Sequence, residues 1–215
     1  MDKLADLEKS LNIKFKNKAL LEQSLVHKSY LNENPMVRME SNERLEFLGD
    51  AILSFLVAEK LYDKFGNLPE GELTNLRSLL VRTSTLAKFA KRLKIGNFLK
   101  LSRGEAGDGG KTNPNILADS LEAIIGAIYL DSGMVSARKF IETQILEHLP
   151  KLTKDDNNHD YKGKLQMVIQ EKHHITPRYK VLSESGPDHP NQFQPIYFLA
   201  QVAKSPNFPK IYHLS

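Results

Sequence analysis

The chain has 215 residues, with 30 basic and 26 acidic side chains, a formal charge of +4 and no cysteine. That length predicts one large domain and one small one, and the missing cysteines exclude disulfides, thiolate zinc sites, iron–sulfur clusters and cysteine nucleophiles, which fits a reducing cytoplasm. No apolar run approaches the roughly 18 residues of a spanning helix, and the charged start MDKLADLEKS lacks the core of a signal peptide, so a cytoplasmic chain without a membrane partner is expected.

From Leu4 to about Leu149 apolar residues recur at helical spacing, which predicts an all-α half over residues 1–150. Leu45–Phe65 is apolar almost all the way round (Phe47, Leu48, Ile52, Leu53, Phe55, Leu56, Val57, Leu61, Tyr62), the pattern of a helix buried on several sides and stopped by Gly66. Pro69 stands where a first helical turn accepts proline. Leucines at 73, 76, 79, 80 and 86 then mark a further helix pair before the break at Gly96. Ile116–Leu130 is another strongly apolar helix, with Gly133 placed for a left-handed C-terminal cap, and Ala137–Leu149 completes the set. After Pro150 the composition turns polar, and residues 151–159 read as a linker. From residue 151 on there are nine basic against six acidic side chains, so most of the excess positive charge lies in this last part. Tyr161–Lys172 reads as a short helix. Arg178–Ser183 and Phe193–Ala203 read as strands joined by a turn around Ser185-Gly186-Pro187-Asp188.

Acidic side chains set within the two most apolar helices carry the chemistry. Glu43, Glu46 and Asp50 are spaced three and then four apart, and Asp119 and Glu122 three apart, so each set lies along one helix face. Two carboxylates about 4 Å apart repel by about 4 kcal/mol at an effective dielectric of 20, and only a cation offsets that. Donors that are all oxygen, without cysteine or a matched histidine cluster, favour a hard ion such as Mg²⁺ over zinc and leave the choice between Mg²⁺ and Mn²⁺ open. Gly49 and Gly126 would let the two helices approach until the acidic rows meet. Either segment taken alone reads more readily as a solvated helix face, and it is the two together, each flanked by apolar residues, that point to a shared site, although Arg44 could pair with one acid. A carboxylate cage for such an ion suits phosphodiester hydrolysis.

The run Asn42-Glu43-Arg44-Leu45-Glu46-Phe47-Leu48-Gly49-Asp50-Ala51 closely resembles the signature of bacterial ribonuclease III, the endonuclease of double-stranded RNA. His27-Lys28-Ser29-Tyr30, Gly71-Glu72-Leu73-Thr74 with Arg77, and Ala118-Asp119-Ser120-Leu121-Glu122-Ala123 resemble the family's other blocks in the right order, covering roughly residues 5–145. The resemblance implies an all-α endonuclease domain that is homodimeric, with Glu46, Asp50, Asp119 and Glu122 as the Mg²⁺ site. It makes Asp50 and Glu122 the residues most directly tied to hydrolysis, and places Glu43 and Glu72 near the RNA cleavage site and dimer contact. It also implies 5′-phosphate and 3′-hydroxyl products with short 3′ overhangs, from ribosomal RNA precursors and structured messenger and transfer RNA precursors.

Residues 160–215 resemble the first half of a small α+β double-stranded RNA-binding domain, in Asp160–Gln166, Pro177-Arg178-Tyr179 and Gly186-Pro187-Asp188-His189. Gln166 and His189 are the positions that would reach a minor groove. The second half departs: the basic start of a final helix is missing, and Pro195, Pro206 and Pro209 oppose central strands, so the domain is expected to be incomplete. A P-loop is set aside because Glu105 stands where the pattern needs glycine ahead of Gly110-Lys111-Thr112, and no nucleotide cofactor is expected. Phe98–Ser102, ahead of that loop, could form a strand. No serine sits in a Gly-x-Ser-x-Gly elbow, His27 reads as a structural hydrogen-bonding residue, and His173-His174 as a surface pair. The rival function is a non-catalytic dimeric double-stranded RNA-binding protein, which would gain nothing from concentrated negative charge facing RNA. A protein-protein scaffold would leave both acidic rows unexplained.

Overall fold

The computed structural model describes residues 3–148, 178–181 and 198–201, and the chain divides into two compact units, Met1–Leu152 and Thr153–Ser215. In the first unit the helices are α1 (Lys3–Leu11), α2 (Lys18–Gln23), α3 (Lys28–Glu33), α4 (Glu43–Lys64), α5 (Glu70–Val81), α6 (Thr83–Arg92), α7 (Arg103–Gly107) and α8 (Pro114–Gln144), with short 3₁₀ turns between and after them. Local chemistry sets several of the starts. The side chains of Asn17, His27, Ser102 and Asn113 each accept a main-chain N–H at the start of α2, α3, α7 and α8, and Pro114 occupies the first turn of α8.

The centre of the unit is α8 against α4, with α6 laid on α8. Leu117, Leu121, Ile124, Ile125 and Ile128 of α8 are fully buried, as are Leu53, Leu56 and Leu61 of α4. Burying side chains of this kind contributes about 1.5–3 kcal/mol each, so this pair holds the domain together. The predicted segment 71–93 is divided by Arg82, which adopts an extended conformation between α5 and α6. Phe98–Ser102 does not form a strand; Val26 and Lys100 make a single parallel bridge there.

Two expectations change. Gly133 does take a positive φ, but with φ 78° and ψ 179° it is a sharp break after which the helix resumes, rather than a left-handed cap. Asp131 beside it accepts the main-chain N–H groups of Lys16 and Asn17 at 3.1 and 2.7 Å, tying the break to the N-terminal segment. Secondly, α4 is not buried all round: Phe47, Phe55 and Tyr62 are 81%, 54% and 71% exposed. With Ala51 and Ala58 they fall at i, i+4, i+8, i+11 and i+15, a single stripe on the side away from α8.

In the second unit, strands β1 (Arg178–Val181) and β2 (Phe198–Gln201) pair antiparallel, Arg178 opposite Gln201 and Val181 opposite Phe198. The predicted linker 151–159, the helix 161–172, the turn, His173-His174, Gln166 and His189 lie outside the described residues. Among the described residues no helix is long and apolar enough to cross a membrane.

Candidate metal centre

Two glycines bring the acidic rows together. A Cβ built on Gly49 overlaps the main-chain oxygen of Glu122 and stands 3.0 Å from the nitrogen of Gly126. One built on Gly126 overlaps the main-chain oxygen of Leu45. Only hydrogen at both positions allows backbones this close, so the crossing of α4 and α8 is fixed at the level of the two acid-bearing turns. The entry of α4 is held as well: Asn42 is buried, its N–H donates to the oxygen of Val26 at 2.8 Å, and its own oxygen accepts the N–H of Glu46 at 2.9 Å.

At that crossing Glu46, Asp119 and Glu122 each offer a carboxylate oxygen, and these oxygens all lie within 4.8 Å of one another. All three side chains are half-buried. Burial pushes the Glu122 carboxyl up to about 8, reinforced by the charges of Asp50, Asp119 and Glu46. Burial also raises Asp119, opposed by its neighbours His27 and Lys28, and raises Glu46, with Asp119 and Glu43 adding to it. Three carboxyl groups gathered and partly desolvated, with no salt bridge to any of them among the described residues, are a costly arrangement for a fold to keep. The donor set, oxygens of one charge sign at mutual ligand distance, fits a hard divalent cation and would be relieved by one.

The other expected residues surround this group. Asp50, one turn beyond Glu46, is exposed and outside the set of three, yet its charge is the largest electrostatic influence on Glu122; its nearest partner is the Ser54 hydroxyl, 3.4 Å away. Glu43 lies one turn before Glu46, where Lys28 at 3.1 Å and the Ser41 hydroxyl at 3.0 Å hold its carboxyl below the usual range. Glu72 sits half-buried in the first turn of α5. Arg44 pairs with Glu40 at 3.3 Å rather than with an acid of the cluster. His27 caps α3 through Nδ1, bonding the Ser29 hydroxyl at 2.8 Å, which is the structural role its sequence context suggests. Lys28 belongs to the block His27-Lys28-Ser29-Tyr30, but its pairing with Glu43 follows only from the fold, which sets α3 beside the start of α4.

Residues 17–149 match the family model described as ribonuclease-III-like. Ribonuclease 3 of Dehalococcoides mccartyi is 44% identical over 190 residues, 88% of this chain and 80% of that protein. Ribonuclease 3 of Fusobacterium nucleatum is 41% identical over 194 residues, 90% and 83% of the two chains. An alignment of 190 residues within a chain of 215 necessarily reaches past residue 149. Among solved structures, the nuclease domain of ribonuclease III from Campylobacter jejuni superposes with a TM-score of 0.61 at 41% identity, covering 74% of this chain and all of that one. A second structure of the same domain, which concerns flexibility in its region involved in dimer formation, gives 0.60 at 44% identity over 66% of this chain and 98% of that one.

Proposed function

The chain belongs to the ribonuclease III family and is an endonuclease of double-stranded RNA of that type, and from this premise we propose how its residues do the work. Glu46, Asp119 and Glu122, with Asp50 from the exposed side, hold Mg²⁺, with Mn²⁺ as a substitute. The observation that carries this reading is the meeting of three half-buried carboxylates, their oxygens within 4.8 Å of one another, across a glycine–glycine helix crossing. A bound divalent ion would activate water for attack on the scissile phosphate and stabilise the leaving oxygen, giving a 5′-phosphate and a 3′-hydroxyl. The protein's part is positional. α4 and α8 fix the ligands, while Asp50 and Glu122 border the reacting phosphate. Glu122, whose carboxyl burial pushes up to about 8, would have to give up its proton to hold a divalent ion. Glu43 and Glu72 flank the cleavage site.

The stripe of Phe47, Phe55 and Tyr62 is the contact of a homodimer, in which two such sites face one duplex and leave short 3′ overhangs. Three large aromatics in one exposed row on a single helix support this, since monomers rarely leave such a row uncovered. Phe47→Glu is expected to shift the protein to monomer in analytical ultracentrifugation at micromolar concentration; an unchanged dimer would place the contact elsewhere. Residues 160–215 form a partial double-stranded RNA-binding appendage, with Gln166 and His189 reaching the minor groove. The similarity of relatives beyond residue 149 supports an appendage of shared ancestry. The substrates are ribosomal RNA precursors and structured messenger and transfer RNA precursors in the cytoplasm.

The test compares a long RNA duplex with its single strands, with Mg²⁺ and with chelator. Cutting of duplex alone, dependent on the cation and ending in 5′-phosphates, is expected. Duplex that is bound but never cut would instead make the chain a non-catalytic binder.

A further inference from the structure

We propose that Lys28 is a substrate-binding residue: its ammonium, held on Glu43 at the rim of the carboxylate cluster, transfers to a backbone phosphate of the RNA duplex as the duplex enters. The inference rests on the function proposed above and adds to it a phosphate contact from the nuclease domain itself.

A cluster of carboxylates repels the polyanion it must receive. A divalent ion at the centre offsets this for the scissile phosphate, but the neighbouring phosphates still pass Glu43 and Asp50. Lys28 brings positive charge to that rim. Its Nζ lies 3.1 Å from Glu43, one turn from Glu46, and its charge is felt by Glu46 and Asp119 as well as by Glu43. Other nearby cations are engaged differently: Arg44 pairs with Glu40, and Lys100 pairs with Glu22 and lies over the Tyr30 ring.

The main chain beneath Lys28 is held by hydrogen bonds, while its side chain reaches out into solvent. The His27 N–H donates to the oxygen of Lys100 at 3.1 Å, and the Ser29 hydroxyl accepts the N–H of Ser102 at 3.1 Å. The ion pair itself is open to solvent, with the Lys28 and Glu43 side chains 64% and 54% exposed, and an exposed pair of this kind is held weakly. A backbone phosphate, with its single negative charge shared over two oxygens, competes well for an ammonium under those conditions. Glu43 then acts as the resting place of the ammonium, keeping it out of the cluster until RNA arrives.

The experiment measures binding of a fluorescent RNA duplex across a KCl series at constant Mg²⁺, in a Glu122→Gln background so that the duplex survives. Lys28→Met should bind roughly tenfold more weakly at low salt and lower the slope of log affinity against log salt by about 0.9, the signature of one lost phosphate contact. Lys28→Arg should recover most of both, and Glu43→Gln, which releases the ammonium, should keep the full slope. An unchanged slope in Lys28→Met overturns the proposal. So does an equal loss in Lys28→Met, Glu43→Gln and their double variant, which would reduce Lys28 to a prop for Glu43. Cleavage by the chain with native Glu122, run alongside, separates the two levels. Duplex cutting with an unchanged Lys28→Met slope removes only the role of Lys28, whereas no duplex cutting removes the function on which it rests.

Discussion

The helices α4 and α8 run together along their length, and their two ends treat acidic side chains in opposite ways. Toward the end of α4, Glu59 is paired with Arg138 of α8, and Lys60 with Glu142 of α8 at 2.9 Å. At the other end the same two helices bring Glu46, Asp119 and Glu122 within 4.8 Å of one another, and the ionisation of all three is suppressed. The fold therefore neutralises interhelical acids where it only needs cohesion. Three acids gathered at the glycine crossing, without a salt bridge among the described residues, cost stability, a cost that a bound cation would offset.

The comparison breaks most directly at Glu122. Glu122→Gln should lower the rate of duplex cleavage by at least roughly 10³-fold, the size expected when a ligand that acts in the transition state is removed. Glu142→Gln, at the paired end, should leave the rate within about twofold. Equal losses would show that the two ends do not differ in kind.

A second contrast sharpens the role of the crossing itself. Gly49→Ala should destabilise by about 3 kcal/mol or more, because the new methyl meets main chain rather than a side chain that can turn away. Gly71→Ala, on α5, meets nothing within 4 Å and should be neutral or stabilising by up to about 1 kcal/mol. Thermal melting of the two variants reads both values.

The smallest expected effect is on the pH dependence of stability without divalent cations. The Glu122 carboxyl, at about 8 in the fold against an ordinary 4.5, is retained as the protonated form when folded and loses its proton when unfolded. Between about pH 4.5 and 8 the unfolded chain thus binds fewer protons, and the free protein loses stability as pH rises through that window before levelling off. Glu46 and Asp119, shifted the same way, add to the slope. Melting temperature should fall by roughly a few degrees from pH 5 to 8 in chelator. Glu122→Gln should flatten much of that fall, and Mg²⁺ should reverse it most at the alkaline end. A profile as steep in the variant as in the wild type would mean that the cluster does not govern it.

Much of this site was legible in the sequence because its signals are local. The spacing of Glu43, Glu46 and Asp50, that of Asp119 and Glu122, and the small residues Gly49 and Gly126 between large apolar neighbours all follow from helical periodicity. What periodicity could not supply was partnership across the fold. It showed that α4 is apolar on every side, but not that Phe47, Phe55 and Tyr62 would be the stripe left outside. It left open whether Arg44 would neutralise an acid of the cluster, and the answer is Glu40, four residues back on the same face. It marked Gly133 as a helix end, whereas the tie from Asp131 to Lys16 and Asn17 depends on a segment more than a hundred residues earlier. The pairing of Lys28 with Glu43 became visible only once α3 stood beside α4.

The central claim is that the cluster of Glu46, Asp119 and Glu122 at the α4–α8 glycine crossing is a divalent-cation site. Calorimetric titration of Mg²⁺, and then Mn²⁺, into the free protein tests it most directly, comparing wild type with Glu46→Gln, Asp119→Asn, Glu122→Gln and Glu142→Gln. The account predicts a binding heat that is lost in the first three variants and kept in Glu142→Gln. The same heat in all five proteins, or none in the wild type, would contradict it.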